Sequence, residues 1–424
     1  MTTENVIANP DVSARPMGWL DRLARRAVHA QLARLPEGRL MLEDSLGSVR
    51  VTERGGDLSA RVTVNNAKFY RRCATGGSLG AAESFLRGEW SCDDMTSLFR
   101  IFIRGMDEAD RMDRGLARLA GFAARLWHRL RPNTRSGSRR NIHEHYDLGN
   151  DFFDLFLDET MSYSCAYFEQ PSASLADASR AKLDMVCRKL ELQPGDHLLE
   201  IGTGWGGLAM HAARHFGCRV TSTTISREQY ERAKQRVAEE GLGDRITFLL
   251  EDYRDLKGQY DKLVSIEMIE AVGHKFLPTF FSQCARLLKP DGLMLLQAIS
   301  MPDHRYAQYR RNADFIQRYV FPGSCVPSLS AMTQAIARAS DLRVLHLQDI
   351  GPHYATTLRH WRHRFVDRLD EVRALGYDER LIRMWLYYLT YCEAGFLERY
   401  TGVAQIVLGK PRCLWQGNAP GHRV

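Results

Sequence analysis

Leu198-Leu199-Glu200-Ile201-Gly202-Thr203-Gly204-Trp205-Gly206-Gly207-Leu208 runs from an apolar strand through a glycine turn into a helix. Positions without side chains let the backbone approach a nucleotide-like ligand at the carboxyl end of a first strand. A glycine loop alone is also an ordinary strand-to-helix turn, so its surroundings must choose between the two. A dinucleotide site would place an acid about 20 positions on, at the end of the second strand. Here that strand ends Thr221-Ser222-Thr223-Thr224-Ile225-Ser226 and carries no such acid.

Around the loop, apolar strand candidates alternate with helical stretches. His197 to Ile201, Arg219 to Thr223, Thr247 to Leu250, Lys262 to Ile266 and Leu293 to Ala298 read as strands, and Arg227 to Glu240 and Lys275 to Leu288 as helices. This alternation predicts an α/β fold with a doubly wound parallel sheet. Two later stretches, Ala331 to Arg373 and Asp378 to Arg399, read as aromatic-rich helices able to cover the ligand edge of that sheet. There is no internal repeat.

Upstream the pattern differs. Trp19 to Leu35 reads as a basic amphipathic helix, with Trp19, Leu20, Leu23, Val28 and Leu32 among Arg22, Arg25, Arg26 and Arg34. From Leu40 to about Tyr70, Val49 and Val51, then Ala60, Val62 and Val64, alternate with polar residues on either side of Gly55-Gly56, a hairpin signal. Asp110 to Leu130 reads as a second basic helix, ended by Pro132. The Arg, Ser and Gly content of residues 133–140 is that of a linker. The expected organisation is a smaller mixed α+β N-terminal domain over 1–130, a basic linker over 131–142 and a catalytic domain over 143–424.

The whole chain fits that size: 424 residues exceed one ordinary domain, and 44% apolar with 26% charged residues is a globular composition. No apolar run is long enough to span a bilayer, and the polar first residues lack the pattern of a secretory signal, so a cytoplasmic address is expected. Nine irregularly spaced cysteines without a Cys-x-x-Cys pair suggest neither a disulfide framework nor a metal site. The net charge of +7 suits a phosphate-bearing partner, nucleic acid or anionic lipid.

Several separate stretches choose among these. They are His145-Tyr146-Asp147-Leu148-Gly149-Asn150-Asp151-Phe152, Met161-Ser162-Tyr163-Ser164-Cys165-Ala166-Tyr167-Phe168, the glycine loop, Thr224-Ile225-Ser226-Arg227-Glu228-Gln229, Asp252-Tyr253-Arg254-Asp255 and Met268-Ile269-Glu270-Ala271-Val272-Gly273. Together they resemble the cyclopropane-fatty-acid synthase family of Rossmann-like methyltransferases, from about His143 to Lys410, with a looser likeness over Phe69 to Trp90. The resemblance implies an S-adenosylmethionine site built from Tyr163, Ser164, Glu200, Gly202, Gly204, Trp205, Gly206, Thr224, Ile225, Gln229, Glu251 and Asp252. Without it, Tyr163 reads as a packed aromatic and Gln229 as a solvated helix residue.

The implied reaction sets its own demands. An isolated alkene attacks a sulfonium methyl only when aligned and shielded from water, and the resulting cation must lose a proton to a base. In the resembled family that base is a bound bicarbonate, and the matching residues here are Cys165, Glu270, Ile299 and Tyr354. Gln297 stands where the family has histidine; it can donate a hydrogen bond but cannot carry an imidazolium's charge. Glu267 stands at a position that is often glycine in the family, at the end of the fourth strand. The hypothesis is that Glu267, or the pair with Glu270, partly replaces bicarbonate, because a like-charged neighbour raises a carboxyl pKa; helix capping or an ion pair is the plainer reading. Cys392 matches a labelled family cysteine but reads as buried packing, and His145 as a structural histidine beside the active-site lid.

Ring closure to a cyclopropane is the favoured product, with a methyl-branched or methylene-bearing chain as runner-up. A bilayer surface is the expected partner, reached through a basic amphipathic helix such as Leu116 to Leu130, although such a helix also packs on its own domain. A homodimer is a candidate assembly. A nucleic-acid methyltransferase is the competing class, yet no Asn-Pro-Pro-Tyr motif or RNA-binding module is present. A non-catalytic lipid carrier would leave the intact loop, Glu270 and Tyr354 without a purpose.

Overall fold

The computed structural model describes residues 17–106, 148–311 and 314–417. The expected basic helix Asp110 to Leu130, the linker and His145 lie outside the described residues. The chain divides into two compact units, the first made of the described residues of 1–130, 311–320 and 358–400, the second of those of 131–310, 321–357 and 401–424. The sequence boundary assigns 311–320 and 358–400 to the catalytic part; their packing groups them with the N-terminal elements instead.

In the first unit, α1 (Trp19–Leu32) buries Ala24, Val28 and Leu32, a four-residue spacing that lines one helix face. Trp19, Leu20 and Leu23, read from the sequence as part of that apolar stripe, point outward at 75%, 45% and 60% exposure. Strands β1 (Arg39–Asp44), β2 (Gly47–Glu53), β3 (Ser59–Val64) and β4 (Trp90–Cys92) form a sheet in the order β2-β1-β3-β4. The expected hairpin around Gly55-Gly56 does not form. The tight turn joins β1 to β2, while β3 crosses over to pair with β1 in parallel. Gly55 and Gly56 take positive φ within that crossover, so a glycine pair marked a turn without revealing which strands it joined. Helices α2 (Lys68–Leu86) and α3 (Met95–Arg104) follow. Phe85 packs on Trp90, and both Phe85 and Phe99 pack on Tyr387 of a later helix, 379–397. Glu398 accepts from Arg100 at 2.6 Å and from Arg104 at 2.8 Å.

The second unit is Rossmann-like. After α4 (Gly149–Asp154) and α5 (Leu175–Lys189) come β5 (His197–Ile201), α6 (Gly207–Phe216), β6 (Arg219–Thr223), α7 (Arg227–Glu239), β7 (Ile246–Leu249), β8 (Tyr260–Ile266), α8 (Leu277–Leu287) and β9 (Leu288–Ser300). Then follow α9 (Asp303–Tyr309), α10 (Leu329–Ala339), β10 (Arg343–Asp349), α11 (Gly351–Asp367), α12 (Leu369–Ala374), α13 (Glu379–Leu397) and β11 (Gly402–Gly409), of which α12, α13 and the end of α11 belong to the first unit. The strand order is β10-β11-β9-β8-β5-β6-β7. The five strands β5 to β9 run parallel, and β11 lies antiparallel between β9 and β10.

Successive residues of the central strands face opposite layers, so both faces are buried. Leu198 and Leu295 join one apolar core with Val186 and Ala209, while Leu199 and Leu296 join the other with Phe280 and Met332. Ser174 and Ser226 cap α5 and α7 by accepting from the backbone N–H three residues on. Residues 343–349, expected within a helix, form the edge strand β10 instead. Pairing with β11 across the register Leu347↔Ile406 overrides their weak helical pattern.

Candidate active site

The ends of β5 to β9 converge on one edge of the sheet, where ligands bind in such folds. After β5, Gly202, Gly204 and Gly206 take φ of 104°, 52° and 82°, conformations that side chains disfavour. Gly202 N and Thr203 N both donate to the Thr223 carbonyl, tying the loop to β6. A Cβ at Gly204 would meet nothing within 4 Å, so this turn keeps an open side, whereas one at Gly207 would lie 2.3 Å from the Thr160 carbonyl oxygen. Trp205 is buried against Phe153, and its indole N–H donates to Asn150 Oδ1 at 2.7 Å.

Glu200 lies beneath the loop. It accepts from Ser222 Oγ at 2.5 Å, and burial pushes its carboxyl up to about 8. Thr224 Oγ1 donates to Gln229 Oε1 at 2.9 Å, and Gln229 is buried, not solvated as the plainer reading held. Tyr163 packs against Phe153 and Phe156. Ser164 accepts from the buried Lys182 at 3.0 Å. Ile225 is half-buried and Glu251 exposed; the Glu251 carbonyl accepts from Thr223 Oγ1 at 2.6 Å. Asp252 is buried and engaged by Arg254 through Nε at 2.8 Å and Nη2 at 2.6 Å. The open glycine turn with Thr224, Gln229 and the Glu251-Asp252 segment around it is a cradle of the right kind for an extended nucleoside.

Beside this cradle is a pair of carboxylates, Glu270 buried and Glu267 half-buried. Glu267 leaves β8 with φ of 50°, which turns its side chain into the sheet edge. Its Oε1 accepts from Cys165 N at 2.9 Å and Gln297 Nε2 at 2.7 Å, and its Oε2 from the Tyr354 hydroxyl at 2.7 Å. Glu270, in the 3-10 turn Ile269–Ala271, accepts from Ile299 N at 2.6 Å through Oε1. Its Oε2 is buried and has no partner among the described residues. Burial raises both carboxyls; the three donors and Lys182 work the other way on Glu267, while the charge of Glu267 adds to the rise of Glu270, to about 8.

The residues that the sequence resemblance assigns to bicarbonate are therefore already engaged. Cys165 N, Tyr354 and Gln297 converge on Glu267, and Ile299 N serves Glu270, so the arrangement does not fit a separate anion. The plainer readings of Glu267 also fail: it caps no helix and forms no ion pair among the described residues. Cys165 is fully buried and its thiol raised well above its usual range; it is its backbone N–H that reaches Glu267. Cys392 lies on α13 in the first unit, its thiol also raised by burial. All nine cysteines are free thiols.

Two site residues escaped the sequence reading, Lys182 and Lys189, both buried on α5. Their signal was available: seven positions apart, they interrupt an apolar helix face where solvated charges do not belong.

The chain matches known proteins over most of its length. A family model described as mycolic acid cyclopropane synthetase matches residues 133–406. A tuberculostearic acid methyltransferase of Mycobacterium tuberculosis is 43% identical over 345 residues, 80% of this chain and 80% of that protein. The cyclopropane-fatty-acyl-phospholipid synthase of Escherichia coli is 39% identical over 360 residues, 84% of this chain and 89% of its own. Among solved structures, the cyclopropane synthase MmaA2 from Mycobacterium tuberculosis has a TM-score of 0.60 at 31% identity, covering 64% of this chain and 98% of that one. A mycolic acid cyclopropane synthase complexed with SAH and CTAB has a TM-score of 0.59 at 34% identity, with the same coverage. With the glycine cradle and the carboxylate pair on one sheet edge, these matches make the chain a member of the mycolic acid cyclopropane synthetase family.

Proposed function

We propose that the protein joins a one-carbon unit to the cis double bond of an unsaturated phospholipid acyl chain and closes it to a cyclopropane. The observation that carries the chemistry is the Glu267–Glu270 pair beside the glycine cradle. Bound S-adenosylmethionine would supply an electrophilic methyl carbon, held by the loop from Gly202 to Gly206 with Thr224, Gln229 and the Glu251-Asp252 segment. The alkene's π pair forms the new carbon–carbon bond while the carbon–sulfur pair returns to sulfur, leaving a cation on the second alkene carbon. Loss of a proton from the added methyl lets its C–H pair close the ring.

The carboxylate pair receives that proton. Burial raises the Glu267 carboxyl, and the three donors and Lys182 work against that rise; a negative charge so placed would stabilise the developing cation. Two interacting carboxylates titrate as one unit with separated steps. Glu270, raised to about 8, already carries a proton at neutral pH, so Glu267 is the member of the pair that accepts the departing one, without any added anion.

Substrate access calls for a lipid surface. Trp19, Leu20 and Leu23 face outward on α1 beside the exposed Arg22 and Arg26, and this combination suits the interface of an anionic phospholipid bilayer. No helix among the described residues is long and apolar enough to cross a membrane.

The test is mass spectrometry of acyl chains after incubation with unsaturated phospholipid vesicles and methyl-labelled S-adenosylmethionine. A labelled cyclopropane is expected. A labelled methyl-branched or methylene chain would replace ring closure by simple methylation, and no labelled lipid would overturn the assignment of the acceptor.

A further inference from the structure

Three glutamines stand side by side across three strands. Gln348 of β10 is in register with Gln405 of β11, and Gln405 with Gln297 of β9. Gln405 and Gln297 are completely buried, as is Lys189 at the end of α5. Lys189 Nζ donates to Gln348 Oε1 at 2.5 Å and to Gln405 Oε1 at 2.7 Å. Gln405 Nε2 donates to Gln297 Oε1 at 2.9 Å. Gln297 Nε2 then donates to Glu267 Oε1 at 2.7 Å and to the Cys165 carbonyl at 3.4 Å.

An amide can face either way, and its partners decide which end it presents. An ammonium settles the matter because it only donates. Its hydrogens demand the oxygen of Gln405, which sends the Gln405 amide N–H to the oxygen of Gln297, which in turn sends the Gln297 N–H to Glu267. We propose that Lys189 is a positioning residue: through Gln405 it fixes Gln297 with its N–H toward Glu267, the carboxylate that handles the departing proton. The reading of Glu267 in this step rests on the function proposed above.

A buried ammonium is costly, and among the described residues no carboxylate pairs with Lys189. Burial lowers it to about 8, and its two glutamine acceptors are what hold it. A purely structural filler at this position would be apolar. With the chain broken, Gln297 is free to turn its oxygen toward Glu267, which loses a donor and repels the carboxylate. The other ionisable groups facing Glu267 are Lys182 from α5, Cys165, Tyr354 from α11 and Glu270, of which only Cys165 touches the chain, through its backbone carbonyl.

The experiment compares Lys189→Met, Gln405→Leu and the double variant with the wild type. Infrared titration follows the carboxyl band that Glu267→Gln removes, alongside the pH profile of methyl transfer and a melting curve. The chain predicts that each single variant raises the Glu267 titration by about half a pH unit or more, because a lost donor disfavours the charged form. The acid limb of the rate profile moves with it, and the double variant moves no further than either single. A Glu267 titration unchanged in folded Lys189→Met and Gln405→Leu protein overturns the proposal. A titration that rises while the acid limb stays in place supports the chain and instead removes Glu267 from the proton transfer.

Discussion

The Tyr354 hydroxyl donates to Glu267 Oε2 at 2.7 Å, joining residues 87 positions apart in the chain. Tyr354 sits on the first turn of α11, and Glu267 follows the end of β8, so two elements with no local connection meet on one carboxylate. With the donors from Cys165 and Gln297, this contact gives the Glu267 carboxylate three hydrogen bonds.

Glu267→Gln keeps the shape and removes the charge. Turnover should fall about 100-fold or more, the usual contribution of a placed base, while affinity for S-adenosylhomocysteine, measured by calorimetry, stays within about twofold. Turnover equal to wild type would remove Glu267 from the chemistry.

Glu270 makes stability depend on pH with a definite sign. Its folded carboxyl lies near 8, above the usual value of 4.5, so the folded state holds a proton that the unfolded state has released. The contribution is full below about 4.5 and is lost as pH rises toward 8. Glu270→Gln should therefore melt progressively higher than wild type as pH goes from 5 to 9, the gap growing by on the order of 4 kcal/mol. A gap independent of pH would show that Glu270 is not held protonated.

Gly207 and Gly204 separate crowding from backbone conformation. Gly207→Ala puts a methyl 2.3 Å from a backbone oxygen and must move the Thr160 segment, so a loss of ~2 kcal/mol in denaturant unfolding is expected. Gly204→Ala meets no atom but must hold φ near 52°, which costs ~1 kcal/mol. The reverse order would mean that the Thr160 segment yields easily.

The outward face of α1 is tested by sedimentation with anionic vesicles. Trp19→Ser together with Leu23→Ser should weaken partitioning about tenfold or more, because each side chain removed takes over 1 kcal/mol of apolar burial with it. Folding should be unaffected, since both side chains are exposed. Unchanged partitioning would move the docking surface elsewhere on the chain.

Much of this was legible in the chain itself, for identifiable reasons. Leu198 to Leu208 combines an apolar run, a glycine turn and a helix start within one short stretch, and β5, β6 and the helix 227–239 lie where their periodicity puts them. Glu267 was noticeable because a carboxylate stood where the resembled family often has glycine. The sequence was silent wherever long-range pairing decides. Whether Gly55-Gly56 closes a hairpin depends on β3 choosing the far side of β1, and the residues of β10 become a strand only because β11 returns from the far end of the chain. The glutamine ladder is likewise a product of register: 348, 405 and 297 have no sequence relation to one another.

Glu267 leaves its strand at φ 50°, a left-handed backbone that glycine adopts freely and a glutamate adopts at a cost of ~1 kcal/mol. The main chain at this point is thus already shaped for the residue that the resembled family often carries there. Passing between a built-in base and an empty socket then asks for no rebuilding of the turn, only the gain or loss of one side chain. At this turn, then, the path of the main chain is indifferent to whether a carboxylate or a bare glycine occupies it.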